Sequence, residues 1–181
     1  YTGTGSAATI PHGLAKAPEF ILIKNTKASN SWAVYHVSVG ADKQLLLNDN
    51  GTISDDTNGF DQVPTSSVIH VGTGASMDTN QTNTATPNHI MYAFTSIPGF
   101  SAFGSYTGNG SANGPFIYTG FKPAFVMIKN TTITSTFSSW VIYDNARTPN
   151  NPTAEPLHAN SSVEEGKRTT GTSFSVADSS L

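Results

Sequence analysis

Apolar positions along this chain come in short runs and not in helical stripes. Two of them are Glu19–Asn25 (EFILIKN) and Ala124–Asn130 (AFVMIKN), each apolar at consecutive positions. A strand reads this way when both of its faces are covered, so these segments predict central strands of a layered β structure. Trp32–Val37 (WAVYHV) and Trp140–Asp144 (WVIYD) predict the strands that follow them. Shorter strand candidates are QLLLN, SSVIHV, HIMYAFTS, FSAFGSYT, PFIYT and SFSV, bounded by turn-forming residues. Asn48–Gly51 (NDNG) predicts a turn, because Asn and Gly tolerate positive φ. Pro18 and Pro123 stand just ahead of the central strands, outside the ladder, where a missing N–H does no harm. No window keeps a helical period. Residues 74–88 and 145–155, rich in Thr, Asn and Pro, predict loops. Short strands with turn signals between them predict an all-β sandwich or jelly roll.

The pattern is also written twice. Tyr1-Thr2-Gly3 matches Tyr106-Thr107-Gly108, and Ile23-Lys24-Asn25-Thr26 matches Ile128-Lys129-Asn130-Thr131, both at an offset of 105 residues. Pro18 and Phe20 meet Pro123 and Phe125 in the same register. After a short insertion, Trp32-Ala33-Val34-Tyr35 meets Trp140-Val141-Ile142-Tyr143, and LLLN ending at Asn48 meets LHAN ending at Asn160. Self-similarity of this kind is the signature of repeated structural units. The expectation is therefore tandem β-sandwich modules, jelly-roll or lectin-like, related by internal duplication. Residues 1–104 form the first, with its N-terminal strand truncated, and 105–181 the second, without its closing strand. HIMYAF has no counterpart after residue 160, so the chain reads as a cut from a longer array. The matching Phe–Ile–Lys segments are expected to fill two like interiors.

Composition narrows the function classes. Charged residues are only 12%, net charge is −3, and nine Lys and Arg are spread thinly. Nucleic-acid binding needs clustered basic residues that displace counterions, so it is not expected. The chain has no cysteine, which excludes disulfides, thiolate metal sites and cysteine nucleophiles. No apolar run reaches the length of a membrane span.

Candidate chemistry is sparse. The adjacent pairs Asp55-Asp56 and Glu164-Glu165 lie in turn-like surroundings, and neighbours on a strand point to opposite faces, so neither pair converges for acid–base work. His12, His36, His70, His89 and His158 show no metal-ligand spacing. Asp49, Asp55 and Asp56 flank NGTIS without matching a calcium-loop template. GTGSA and GNGSAN read as tight turns, because no Lys-Ser/Thr follows them. No catalytic residue, metal or cofactor is expected. The sharper question is the aromatic pair in each copy: Trp32 with Tyr35, and Trp140 with Tyr143. Core or edge packing is one role for them, and stacking on a sugar ring is the other. Residues three apart on a regular strand face opposite ways, so one ring of each pair is expected at the surface.

GFKPAFVMIKNT, WVIYDNAR, LHAN, MYAF and the junction GFSAFGSYTGNGSANGPFIYTGF together resemble a known family. It comprises uncharacterised tandem modules of about a hundred residues in virion-associated, tail-fibre-like proteins of tailed, often marine, bacteriophages. The first copy departs from the motif Trp-x-x-Tyr-Asp-x-x-Arg, with His36 for the Asp and Val39 for the Arg. The resemblance implies a non-enzymatic component of the virion, fibre-like or decorating. Its implied partners are other virion proteins or copies of itself, with a host-surface glycan as a further contact. A carbohydrate-binding adhesion module is the alternative, and a polysaccharide depolymerase a more distant one.

Overall fold

The computed structural model describes residues 1–73, 88–111, 113–134, 138–147, 149 and 155–162. The protein is all-β. Its strands are β1 (Ala8–Pro11), β2 (Phe20–Asn25), β3 (Ala33–His36), β4 (Lys43–Leu46) and β5 (Ser54–Asp55). They continue with β6 (Val68–Val71), β7 (His89–Phe94), β8 (Phe125–Ile128), β9 (Val141–Asp144) and β10 (Leu157–His158). A five-stranded antiparallel sheet has the order β5-β4-β3-β2-β7, a three-stranded sheet the order β10-β9-β8, and β1 pairs with β6 as a ribbon.

The apolar run of β2 sits at the centre of the larger sheet, as its two-sided pattern predicts. Its alternate residues enter different cores. Ile21 and Ile23, with Ala33 and Tyr35 of β3, pack against Phe60 and against Ile69 and Val71 of β6. Ala8 and Ile10 of β1 and Tyr1 close that cluster. On the opposite face Phe20, Leu22, Val34 and Leu45 share a second cluster with Trp140, Met127 and Phe103. Both faces of β2 and β3 are thus largely withdrawn from water, and part of the second cover comes from the later half of the chain.

The two meanders β2-β3-β4 and β8-β9-β10 agree in register. Phe20 lies opposite His36 and Ile23 opposite Ala33. Their counterparts pair in the same way, Phe125 with Asp144 and Ile128 with Val141. Ala33 pairs with Leu46 and Val34 with Leu45, just as Val141 pairs with His158 and Ile142 with Leu157. The turn hydrogen bonds agree as well. Val37 N donates to Glu19 O at 2.8 Å and Asn145 N to Ala124 O at 3.0 Å. Asn25 Oδ1 accepts from Lys27 N and Ala28 N, and Asn130 Oδ1 from Thr132 N and Ile133 N.

The surroundings of the matched residues differ. Phe20 is 8% exposed, whereas Phe125 is 57% exposed. The expectation of two like interiors therefore fails at this pair. Phe20 stacks on Phe103 with centroids 5.7 Å apart and lies 6.1 Å from Phe94, and Phe125 makes no such ring contact among the described residues. The cluster that buries Trp140 is one shared by residues on both sides of the 104/105 boundary.

Two strand expectations are corrected. FSAFGSYT and PFIYT form no strand, apart from a single bridge between Ile97 and Ser101. An apolar stretch becomes a strand only where a ladder partner exists, and Phe116 and Tyr118 stand 78% and 79% exposed. The SFSV segment, Glu164-Glu165 and most of the two predicted loops lie outside the described residues.

Candidate functional site

The seam between the two meanders carries hydrogen bonds that join the two halves of the chain, and Trp140 is at its centre. Trp140 is 4% exposed. Its indole Nε1–H donates to Leu46 O of β4 at 2.8 Å, across the boundary between the halves. Its backbone N–H donates to Asn160 Oδ1 at 2.8 Å, and Asn160 Nδ2 donates to Ser139 Oγ at 3.2 Å. The first copy repeats this cap: Trp32 N donates to Asn48 Oδ1 at 2.9 Å, and Asn48 Nδ2 to Ser31 Oγ at 3.3 Å. The matched Asn of LLLN and LHAN thus each hold the start of the neighbouring strand. Sequence reasoning aligned these two Asn but gave them no role.

Polar atoms continue along the seam. Asn50 O accepts from Ser138 Oγ at 3.0 Å and from Lys129 Nζ at 3.3 Å. Lys129 Nζ also donates to Asn130 O at 2.6 Å. Burial lowers the Lys129 pKa, and the charge of Asp49 pulls the other way. Lys24, its counterpart, instead reaches Ala28 O and Asn30 O within its own turn. The same motif residue therefore closes a local turn in one copy and ties the halves together in the other.

Beside the seam lies a hollow of about 240 Å³ lined by Leu46, Asp49, Gly51, Thr52, Ser54 and Thr134. Small-molecule sites usually enclose roughly 300–1,000 Å³ behind mostly apolar walls. This one is smaller, its lining is mixed polar and apolar, and Asp49 is the carboxylate in it. Among the described residues no group of three or more His, Asp or Glu could hold a metal ion. Asp55, one of the aspartates flanking NGTIS, is paired with Lys43 at 2.6 Å, and that hydrogen bond lowers its pKa. Asp144 accepts from Ala146 N at 3.1 Å and Arg147 N at 2.9 Å, and from Arg147 Nε at 2.6 Å. Its pKa is lowered first by the Arg147 backbone hydrogen bond, then by the side-chain one. The Asp and Arg of WVIYDNAR are accordingly a turn lock. His36, which replaces the Asp in the first copy, fills the same turn: Ser38 N donates to its Nδ1 at 3.1 Å. Burial lowers the His36 pKa against the opposing charge of Glu19, which favours the neutral ring that this acceptor role requires.

The four rings singled out in the sequence fall mainly in the core. Tyr35, Trp140 and Tyr143 are 2%, 4% and 5% exposed, and Trp32 is half-buried. The expectation that one ring of each pair reaches the surface fails for the second copy, because strand β9 is covered on both faces. A buried ring presents no face to a sugar. Burial also raises the Tyr35 pKa. Among the described residues the exposed rings are others: Tyr92 and Phe94 on β7, and Phe100, Tyr106, Phe116, Tyr118 and Phe125.

Taken together, the fold and the seam define an all-β protein whose two antiparallel meanders close over one apolar cluster. Over residues 1–176, across both meanders, the sequence matches the family model described as a domain of unknown function, DUF7483, and the chain belongs to that family. No curated protein and no solved structure matches it. No helix among the described residues is long and apolar enough to cross a membrane.

Proposed function

We propose that the protein is a non-enzymatic structural component of a tailed-phage virion, fibre-like or decorating, built from β-sandwich modules that arose by duplication. The observation that carries this reading is the agreement of the two meanders in strand register and in Asn caps. Repetition of one unit generates length and stiffness, and lets weak contacts on several modules add through effective concentration. A surface poor in charge and rich in Thr, Ser and Asn suits a rigid particle part. Duplication accounts for the shared local geometry, and divergence for the different cover over Phe20 and Phe125. The deciding experiment is immunogold electron microscopy of purified particles with antibody raised against this chain. Regular labelling of a tail, fibre or capsid surface is expected. Signal in the soluble lysate with unlabelled particles would sink the reading.

A glycan-contacting role is favoured by one observation, the exposure of Tyr92 and Phe94 on the same face of β7. It moves the contact away from Trp32, Tyr35, Trp140 and Tyr143. Binding on a glycan array that is lost in Tyr92→Ala and kept in Trp32→Ala is the expected pattern for this role. An array with no bound glycan removes it.

A further inference from the structure

The outer edge of β8 carries the strongest unassigned feature. In β2, backbone groups alternate between two neighbours. Val37 N donates to Glu19 O on the β3 side, Glu19 N donates to Phe94 O on the β7 side, and Thr26 N donates to Asn88 O, which turns the even-numbered residues from Phe20 onward toward β7. Phe20, Leu22 and Lys24 lie opposite Phe94, Tyr92 and Ile90 across that ladder. In β8 the bond from Asn145 N to Ala124 O fixes the same alternation. Val126 and Ile128 face β9, and Phe125, Met127 and Lys129 point their N–H and C=O groups outward. Among the described residues no strand pairs with that edge.

Two further observations say what fits there. Phe20 is buried because Phe94 of the neighbouring strand and Phe103 lie against it. Phe125, in the same register position, is 57% exposed. The second concerns the far side of β7, which is held by the chain start. Tyr1 and His89 exchange backbone hydrogen bonds at 2.9 and 2.7 Å, their rings stack 4.8 Å apart, and Thr2 bridges to Asn88. Tyr106 and Thr107 match Tyr1 and Thr2 in sequence, and Tyr106 is 49% exposed. In the first copy one strand is gripped between β2 and Tyr1. In the second copy the counterparts of Phe20 and Tyr1, Phe125 and Tyr106, both stand exposed.

We propose that the outer edge of β8 is a strand-accepting site. Its occupant is an extended segment of another polypeptide, added antiparallel with the alternation of β7: an aromatic residue opposite Phe125, a second opposite Met127 and a branched aliphatic one opposite Lys129. Main-chain hydrogen bonds supply the affinity of such strand addition, and the alternate side chains supply its selectivity. An unfilled edge of this kind is otherwise an aggregation hazard.

The test uses the full chain and a synthetic peptide of sequence NHIMYAFT, identical to residues 88–95, with NMR-detected amide hydrogen exchange. In the free chain the amides of Phe125, Met127 and Lys129 are expected to exchange fast. Saturating peptide should slow them by about tenfold or more while leaving Val126 and Ile128, already bonded to β9, unchanged. A peptide with Thr in place of its Ile, Tyr and Phe should not protect them. The Phe125→Asp variant, altered at an exposed position that does not hold the fold, should bind the peptide at least about tenfold more weakly. Several results would overturn the proposal. They are no protection at millimolar peptide, protection confined to Phe20, Leu22 and Lys24 through exchange with β7, and protection of the three amides already present in the free monomer. Concentration-dependent self-association that protects them without peptide would assign the edge to a second copy of this chain and also overturn it.

Discussion

At the scale of single residues, the two matched meanders show how different side chains can meet one backbone demand. The turn after β3 and the turn after β9 each leave an N–H two residues on that needs an acceptor. Asp144 meets it with a carboxylate and His36 with a neutral imidazole nitrogen. The substitution brings a pH dependence. The folded pKa of His36 lies below its ordinary value of 6.5 because burial disfavours the charged ring. Between those two values the unfolded chain binds the extra proton. The stabilising contribution of His36 is therefore whole above pH 6.5, declines as pH falls through the window beneath it, and levels off below the folded value. His36→Asn keeps an acceptor and removes the titration. Urea-unfolding free energies measured from pH 8 to pH 5 should fall less steeply for the variant than for the parent. Equal slopes would remove His36 as the titrating group. The Asn caps make a second residue-scale prediction. Asn160→Ala leaves the N–H of a buried Trp without its acceptor and should cost about 1–3 kcal/mol. Asn48→Ala does the same to half-buried Trp32, where water can substitute, and should cost clearly less. Thermal unfolding of both variants checks the ranking.

At the scale of elements, much of the larger sheet is legible in the sequence and much of its surroundings is not. The consecutive apolar positions of Glu19–Asn25 announce a strand covered on both faces, and the structure agrees: Ile21 and Ile23 enter one cluster, Phe20 and Leu22 the other. The pattern says that two covers exist but not what they are, because a cover is a non-local fact. The failure at Phe125 has the same origin. Its neighbours along the chain match those of Phe20, and its exposure depends on strands elsewhere. β1 and β5 escape sequence reading for a local reason: one ends on Pro11 and the other is only Ser54–Asp55, too short to show alternation. Tyr35 and Tyr143 lie on the strands expected for them and Trp32 and Trp140 one residue before those strands, yet the pattern along the chain does not reveal that Trp140 and Tyr143 are both buried. Glycine positions carry information that the apolar pattern lacks. A Cβ built on Gly72, just after β6, would fall 2.4 Å from Asn58 O, and the Gly72 N–H is bonded to Gly59 O at 2.7 Å. The backbone has no room to give there. Gly72→Ala should destabilise by about 1–3 kcal/mol, as overpacking does. The loss should appear as a lower urea midpoint with an unchanged m-value. A neutral result would mean that the turn at Asn58 shifts freely.

At the scale of the whole molecule, the two matched halves of the sequence share one apolar cluster. Trp140 belongs by sequence to the second copy, yet it packs with Phe20, Val34 and Leu45 of the first and donates its indole proton to Leu46 O. Lys129 and Ser138 add further ties through Asn50 O. A cluster drawn from both copies cannot be opened on one side without exposing the other. The two meanders should therefore unfold together, with intrinsic Trp fluorescence and far-UV circular dichroism giving coincident urea transitions. Two substitutions separate the contributions at the seam. Trp140→Phe retains an aromatic filler but leaves Leu46 O without the indole donor, and should cost about 1–3 kcal/mol. Trp140→Ala also opens a cavity, and should cost about 3–5 kcal/mol. If the seam is the source of cooperativity, the Ala variant should show transitions that no longer coincide, with near-UV signals lost ahead of the β-sheet signal, whereas the Phe variant should keep a single transition at a lower midpoint. Two separated transitions in the parent protein would instead mean that each meander is stable by itself and that the seam is only a contact. That outcome would return the architecture to independent modules joined end to end.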